Sequence, residues 1–583
     1  MSVNKIKMTE NIKRNNKGRI IIIGGVAAGT SAAAKARRRS EATEIIIYEK
    51  YKHISYGTCG LPYFVSGKIA DIESLMINTV QRFEKRFNIR VNIMHEVTGI
   101  IPQEKSLLVR DLNTGMEFKD YYDKLIITTG SDPITINPEI SNADNAFFLK
   151  TIDDAIKLKE YLNYISKKDY SALESETGSK NAINIVIIGG GFIGLELLDS
   201  FLSLSFTVTI IEKLNQLLPI FDFEIIEYLE NYLKIKNVNI LKGDEIASFE
   251  KDSTRQIRAV KTLKGKKLLV DLLFLSIGTR PQVELAKQAG LSIGSSGAIS
   301  VNEYMQTSNP DIFAAGECCE LKDFITGKNI KYNLANIANR QGRCAGYNAA
   351  GGKDKFIYGN PTSIIKVLDV TIAKTGISLK EAKNLGIDAE KIELHYLNHA
   401  GYYPGASLIH MILVFDKKTG KILGYEAIGR SGVDKKVDIL SVAIRCGLRI
   451  WDLANMDLGY HPEYGAAKDS INILGMIGEN IKKGEVEFIN VEELSEKIAK
   501  KEKITILDVR SKREYEAGHI EGSTNIPIEN LRDNLGSLDK NAEIIVHCRS
   551  SYRSYLAFRI LKNLGFKNIK NLNGSYLSWQ RVL

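Results

Sequence analysis

Ile185-Val186-Ile187-Ile188-Gly189-Gly190-Gly191-Phe192-Ile193-Gly194 is the stretch that decides the fold. Four β-branched residues in succession read as a strand buried on both faces. Glycines at the first, third and sixth positions after it serve a tight turn, a close backbone approach to a pyrophosphate, and helix-on-strand packing. The next strand, Val208 to Ile211, ends at Glu212, eighteen residues after Gly194. A carboxylate there accepts hydrogen bonds from an adenosine ribose and repels a 2′-phosphate, which favours NADH over NADPH.

The same plan occurs earlier in the chain. Arg19 to Ile23 reads as a strand, Gly24-Gly25-Val26-Ala27-Ala28-Gly29 as the turn, and an Ala-rich helix runs to Arg39. A second strand from Glu44 ends in Glu49, twenty residues after Gly29. This copy departs from the strict fingerprint at Val26. Two dinucleotide motifs in one chain point to FAD and NADH, held by two Rossmann-like domains in an α/β protein. Strand-to-glycine junctions at Thr129-Gly130, Gly278 and Gly316-Glu317 indicate that the nicotinamide module is inserted within the flavin module.

A chain of 583 residues is too long for one core and implies three or four domains. Its apolar and charged fractions, 44% and 25%, are those of an ordinary globular protein. The net charge of +10 is scattered and lacks an aromatic-studded basic stripe, which excludes nucleic acid and favours a polyanionic small molecule. No apolar run is long enough to span a bilayer. The six cysteines show neither a C-x-x-C pair nor zinc spacing, as in a reducing compartment. These features imply a cytoplasmic protein without a metal site. Residues 1–17 read as a disordered extension and 164–182 as a surface loop.

Ser55-Tyr56-Gly57-Thr58-Cys59-Gly60-Leu61-Pro62-Tyr63 sets one cysteine before an apolar segment that reads as the first turn of a helix. A thiolate is favoured at such an N-terminus. Between residues 1 and 317 there is no second cysteine, so Cys59 cannot close a local disulfide. Its oxidised form is then a mixed disulfide, a persulfide or a sulfenic acid. Cys318, Cys319, Cys344 and Cys446 lie in apolar or Ala/Gly-rich contexts and read as structural.

Over about residues 18–475 the chain resembles the flavoprotein disulfide reductases, and within them the single-cysteine branch of coenzyme A disulfide reductases, NADH oxidases and NADH peroxidases. Ala27 stands where the peroxidases carry histidine. Ser55 to Tyr63 is similar to the coenzyme A disulfide reductase signature, with Tyr56 in place of Phe and Thr58 in place of Asn. The resemblance implies FAD at Gly24, Gly25, Ala27, Gly29, Glu49, Lys50, Thr129, Gly130, Gly316 and Glu317, and NADH at Gly189, Gly191, Gly194, Glu212 and Gly278. It implies coenzyme A at Ser31, Lys35, Arg38, Ser55, Thr58, Asn339 and Lys468, with Arg37 and Arg39 beside Arg38 to meet phosphates. Residues 346–475 match the dimerisation domain that makes such reductases homodimers. There Tyr402 or Tyr403, from His399-Ala400-Gly401-Tyr402-Tyr403-Pro404-Gly405, and Tyr460 are implied to protonate a departing thiolate, with His461 placed to tune Tyr460.

Beyond Gly478 a new β-α pattern begins with Ile504 to Arg510. Ile544-Ile545-Val546-His547 then leads into Cys548-Arg549-Ser550-Ser551-Tyr552-Arg553-Ser554 and a helix. This resembles a rhodanese domain. Cys548 to Arg553 is six residues, the sulfurtransferase length, where related phosphatases use one more. Backbone N–H groups with Arg549 and Arg553 make a cradle for a thiolate or persulfide.

The expected organisation is an extension (1–17), an FAD domain (18–150 and 265–345), an NAD domain (151–264), a dimerisation domain (346–475), a linker (476–486) and a rhodanese domain (487–583). The expected function is NADH-dependent, FAD-dependent reduction of coenzyme A disulfide, coenzyme A persulfide or polysulfide through Cys59, with Cys548 handling sulfane sulfur. A water-forming NADH oxidase and a sulfur carrier or sensor are the alternatives.

Overall fold

A computed structural model describes residues 18–167, 183–357 and 359–581. The extension expected at 1–17 lies outside the described residues, as does most of the loop expected at 164–182. Tyr164 to Ser166 belong to the helix Ile152–Ser166, whose buried face continues through Ile165. The chain forms two compact units, one built from residues up to Val208 with Ile246–Pro361, the other from Thr209–Glu245 with Thr362–Leu583.

The first unit is organised by two parallel sheets. One has the order Ile312–Ala314, Lys124–Ile127, Arg19–Ile23, Glu44–Glu49, Arg90–Ile93. Its central strands are fully buried at Ile21, Ile22, Ile46 and Ile126, which explains why they read as unbroken apolar runs. In the second sheet Asn184–Ile188 pairs with Leu272–Leu275, Ile185 opposite Leu272, and Leu272–Leu275 pairs with Ala146–Phe147. The strand Leu272–Leu275, assigned above to the flavin segment, therefore lies in the sheet of the second glycine motif. Strands on both sides of Asn184–Ile188 are what bury that all-apolar run.

Helices Ala27–Arg39 and Ala335–Ala349 pack backbone against backbone. A Cβ on Gly342 would lie 2.2 Å from the Ala28 carbonyl oxygen, and one on Gly346 2.1 Å from that of Ala32. Small residues at these crossings bring two helix faces side by side.

The second unit holds an antiparallel sheet ordered Thr362–Val367, Val370–Gly376, Ile422–Gly429, Leu408–Asp416, Ala389–Leu397. The turn expected at Lys418 to Lys421 joins Leu408–Asp416 to Ile422–Gly429. A parallel sheet follows, ordered Phe488–Ile489, Asn568–Leu572, Glu543–His547, Ile504–Asp508, Thr524–Asn525. Among the described residues no helix is long and apolar enough to cross a membrane.

Candidate functional site

Both glycine turns are closed by a hydroxyl-bearing residue on a neighbouring strand end. Gly24 has φ +100°, and a Cβ there would lie 2.4 Å from the Thr128 carbonyl oxygen; one on Gly29 would lie 1.9 Å from the Gly24 carbonyl oxygen. The Thr128 hydroxyl donates to the carbonyls of Ile23 (2.7 Å) and Gly24 (3.0 Å). In the second motif Ser276 takes the same part: its hydroxyl accepts from the Gly194 N–H at 3.0 Å, and a Cβ on Gly189 would lie 2.5 Å from its carbonyl oxygen. Sequence reasoning picked Thr129, Gly130 and Gly278 and missed Thr128 and Ser276. The signal was present, because Thr128-Thr129-Gly130 and Ser276-Ile277-Gly278 repeat one pattern after a strand.

Glu49 is buried at its strand end and accepts from the N–H groups of Gly25 (2.7 Å) and Tyr51 (2.9 Å). Burial raises its carboxyl above the usual range against these two bonds. Lys50 sits over the Tyr51 ring and draws Glu49 the other way. The Ser131 hydroxyl donates to Glu317, and the Gly316 N–H donates to Gln341 Oε1 at 3.0 Å. Gln341 Nε2 is buried without a protein partner. A cradle that admits no Cβ, a buried carboxylate at the strand end and an unpaired buried donor fit FAD at the first motif. In the second unit Glu212 ends the strand Thr207–Glu212, accepting from Leu214 N–H at 2.8 Å.

Cys59 is exposed and lies in a short 3-10 turn, Thr58–Gly60, ahead of the five-residue helix Leu61–Val65 that carries Pro62 in its first turn. The expected depression of its pKa is corrected. Desolvation, with the Glu196 and Glu317 carboxylates, pushes the thiol up, and only the Thr58 hydroxyl and the cysteine's own backbone pull it down. One short turn supplies too little dipole to offset the partial desolvation of the thiol and the two acids. Glu196 was missed by sequence reasoning. It stands two residues after Gly194, and burial pushes its carboxyl up to about 7. Ser55 is buried at φ +50°, its hydroxyl accepting from Asn78 at 3.3 Å.

Ser31, Lys35, Arg38 and Asn339, four of the candidate coenzyme A residues, lie on the helices Ala27–Arg39 and Ala335–Ala349, which run together, whereas Ser55 and Thr58 lie at the Cys59 turn. The Ser31 hydroxyl donates to Asn339 Oδ1 at 2.6 Å. Lys35 Nζ lies 4.7 Å from the centroid of the Tyr347 ring, with the Arg39 guanidinium at 5.6 Å. Tyr347, eight residues after Asn339, was not picked from sequence. Arg38 is exposed at the helix end. Arg37 is corrected: it is buried, and its guanidinium donates to the carbonyls of Ser40, Glu41, Phe87 and Asn88. With those donors committed it fastens the helix end and is not offered to a phosphate.

In the second unit the tyrosines separate. The hydroxyls of Tyr402 (77% exposed) and Tyr460 (51%) are hydrogen-bonded at 2.8 Å, and this bond raises the Tyr460 phenol. Tyr403 instead packs edge-on against His399 at 5.7 Å. His461 packs on Tyr464 at 5.6 Å, so the tuning of Tyr460 expected from it has its contact elsewhere. Lys468 is exposed just before the helix Ser470–Lys482. Cys318, Cys319 and Cys344 are buried, their thiols donating to carbonyls. Cys446 is exposed, which corrects its structural reading: it caps the helix Val433–Arg445 beyond the buried face of Val437, Leu440 and Ile444.

Cys548 is 2% exposed at the end of the strand Glu543–His547. Its N–H donates to Ser575 Oγ at 3.3 Å, and Sγ lies 3.9 Å from the same oxygen. Ser551, at φ +79°, turns the chain into the helix Tyr552–Asn563. The two arginines expected around Cys548 differ in their surroundings. Arg549 is exposed, and Arg553 is held in a bidentate pair by Glu514, both bonds 2.7 Å, which brings the Glu514 carboxyl down to about 2. Two opposed planar groups satisfy each other, so Arg553 acts on Cys548 by its charge from a fixed position.

Residues 18–342 match the model for the pyridine nucleotide-disulphide oxidoreductases, 362–470 that for the dimerisation domain of the same family, and 490–582 that for the rhodanese-like domain. A Methanocaldococcus jannaschii protein named NADH oxidase is 31% identical, covering 78% of this chain and 97% of its own. A Pyrococcus horikoshii NAD(P)H coenzyme A polysulfide/persulfide reductase is 31% identical over 79% and 99%. Among solved structures, the reduced Bacillus anthracis CoADR-RHD superposes with a TM-score of 0.91 at 35% identity, covering 98% and 99% of the two chains. A NAD-dependent persulfide reductase from A. fulgidus does so at 0.86 and 34%, covering 96% and 100%.

Proposed function

The chain belongs to the pyridine nucleotide-disulphide oxidoreductase family, and from that premise we propose that it uses NADH to reduce a coenzyme A persulfide, coenzyme A disulfide or polysulfide at Cys59, with Cys548 carrying sulfane sulfur. The observation that carries the reading is the pair of separate cysteine sites: an exposed Cys59 and a loop-held Cys548. The two together favour persulfide or polysulfide over plain disulfide. A water-forming oxidase leaves Cys548 without a role.

FAD, when bound, supplies the two-electron connection between NADH and sulfur. Gly24, Gly29, Glu49 and Glu317 would hold it, and Gly189, Gly191, Gly194 and Glu212 would hold NADH. Ser31, Lys35 and Asn339 with Tyr347 form a basic, aromatic face suited to the adenine and phosphates of coenzyme A. The Cys59 thiolate attacks one sulfur of the pair, forming a new S–S bond and releasing the other sulfur as a thiolate or hydrosulfide. That leaving group takes a proton, for which the hydrogen-bonded Tyr402 and Tyr460 are the donors, serving Cys59 of a second copy in a homodimer. Two electrons from NADH then break the new S–S bond, releasing the sulfur held on Cys59 as a second thiolate or hydrosulfide and restoring the Cys59 thiolate. A cytoplasmic location accords with thiols kept reduced.

The test is NADH consumption with coenzyme A persulfide, joined to a mass spectrum of the purified protein. Turnover that disappears in Cys59→Ser, with a coenzyme A adduct on Cys59 in the native protein, is expected. Turnover that survives Cys59→Ser contradicts the assignment.

A further inference from the structure

The segment Asn573 to Ser578 has two faces, both buried. One closes the Cys548 loop: the N–H of Tyr576 donates to the Cys548 carbonyl at 3.0 Å and that of Leu577 to the Arg549 carbonyl at 3.1 Å, while Ser575 Oγ receives the Cys548 N–H. The other is fastened to parts of the chain far from the rhodanese-like domain. Asn573 Oδ1 accepts from the Glu393 N–H at 2.8 Å, and its Nδ2 donates to the Lys391 carbonyl at 3.0 Å. The Ser578 hydroxyl donates to Glu393 Oε2 at 2.7 Å, and the Tyr228 hydroxyl to the Leu577 carbonyl at 2.9 Å. Gly574, at φ +68°, makes the approach possible: a Cβ there would lie 1.8 Å from Ser578 Oγ and 3.1 Å from Glu393 Cβ.

The protons of this junction can be counted. Tyr228 and Ser578 have given theirs to Leu577 and Glu393. His395 Nε2, 3.0 Å from Ser578 Oγ and 3.3 Å from the Tyr228 oxygen, is therefore the donor to both. A buried neutral imidazole thus ties the two hydroxyls together.

We infer that the strand Ala389–Leu397 and the helix Phe223–Ile235 are part of the Cys548 site: Glu393, His395 and Tyr228, through Asn573, Leu577 and Ser578, are positioning residues that hold the carbonyls of Cys548 and Arg549 and so aim the loop. The inference rests on the reading that Cys548 carries sulfane sulfur. It makes the reductase body a working part of the sulfurtransferase, so that sulfur transfer depends on Tyr228, 320 positions before Cys548, and on Glu393 and His395, 155 and 153 positions before it.

The experiment uses full-length Tyr228→Phe, Ser578→Ala and the double variant, with thiosulfate and cyanide as probes. The Cys548 thiolate attacks the outer sulfur of thiosulfate, sulfite leaves with the bonding pair, and cyanide then removes the sulfane sulfur as thiocyanate, restoring the thiolate. The expected result is a fall in kcat of about threefold or more for each variant and a larger fall for both together. The KM for thiosulfate should change by less than about twofold. Alkylation of Cys548 by iodoacetamide, followed by mass spectrometry on the folded protein, should slow in parallel, while flavin reduction by NADH stays unchanged. Unaltered kcat and alkylation in both variants of an enzyme whose native form transfers sulfur would overturn the inference, as would losses that only follow the amount of unfolded protein. Should the native chain transfer no sulfur, the Cys548 reading fails, and the alkylation rates still decide whether the junction aims the loop.

Discussion

Cys59 shows how the local setting of a residue can be read from sequence while its electrostatics are misjudged. The glycines around it and the absence of a partner cysteine are local and were legible. The two carboxylates acting on it come from Glu196 and Glu317, over a hundred positions away, and no sequence pattern announces that meeting. Glu196 titrates near neutrality, which gives a sign that can be worked out. Above pH about 7 it is anionic and opposes the Cys59 thiolate; below, it is neutral and does not. Glu196→Gln should therefore speed alkylation of Cys59 a few-fold above pH 7 and match the native rate at lower pH. Because its folded pKa is raised, the stability it contributes is complete below its ordinary value of 4.5 and is lost as pH rises through about 7. The Gln variant should lack that loss, measured as the difference in urea midpoints across this window. For the Tyr402–Tyr460 pair, Tyr460→Phe should slow reoxidation of the reduced enzyme by coenzyme A persulfide and leave flavin reduction by NADH unchanged in stopped flow. Slowing of both half-reactions alike would remove Tyr460 from proton transfer.

At the scale of elements, the two strand–turn–helix units were the most legible part of the chain, because unbroken Ile/Val runs and glycine spacing are determined within about thirty residues. What closes each turn was less so: Thr128 and Ser276 reach the glycines from strands far along the sequence. Their agreement in two independent sheets makes a sharp expectation. Gly29→Ala places a Cβ 1.9 Å from the Gly24 carbonyl oxygen and should yield protein without bound flavin, seen as loss of the yellow absorbance. Gly194→Ala, whose Cβ would meet Ile187 and Ser276 at 2.9 and 3.0 Å, should keep the flavin and weaken its reduction by NADH. Flavin retained in Gly29→Ala would show that the first turn does not cradle it. Arg37 marks the limit of reading a basic run as a ligand site. Three consecutive arginines look alike in sequence, and only the fold distinguishes the one turned inward onto four carbonyls from the two left exposed.

At the scale of the whole molecule, the order of segments was readable from motifs, whereas the fastening of the C-terminal domain was not. Asn573, Ser578 and Glu393 are unremarkable in sequence, about 180 positions apart, and acquire meaning only once Gly574 lets two backbones approach. That fastening ties the C-terminal domain to the rest of the second unit, and electrons from NADH are expected to reach a sulfur–sulfur bond at Cys59. The most direct measurement is stopped-flow oxidation of the NADH-reduced enzyme, comparing coenzyme A persulfide with dioxygen at equal concentration in the native protein and Cys59→Ser. Reoxidation should be faster with the persulfide and should lose that advantage in Cys59→Ser. Faster reoxidation by dioxygen, or a persulfide rate untouched by Cys59→Ser, would contradict the account.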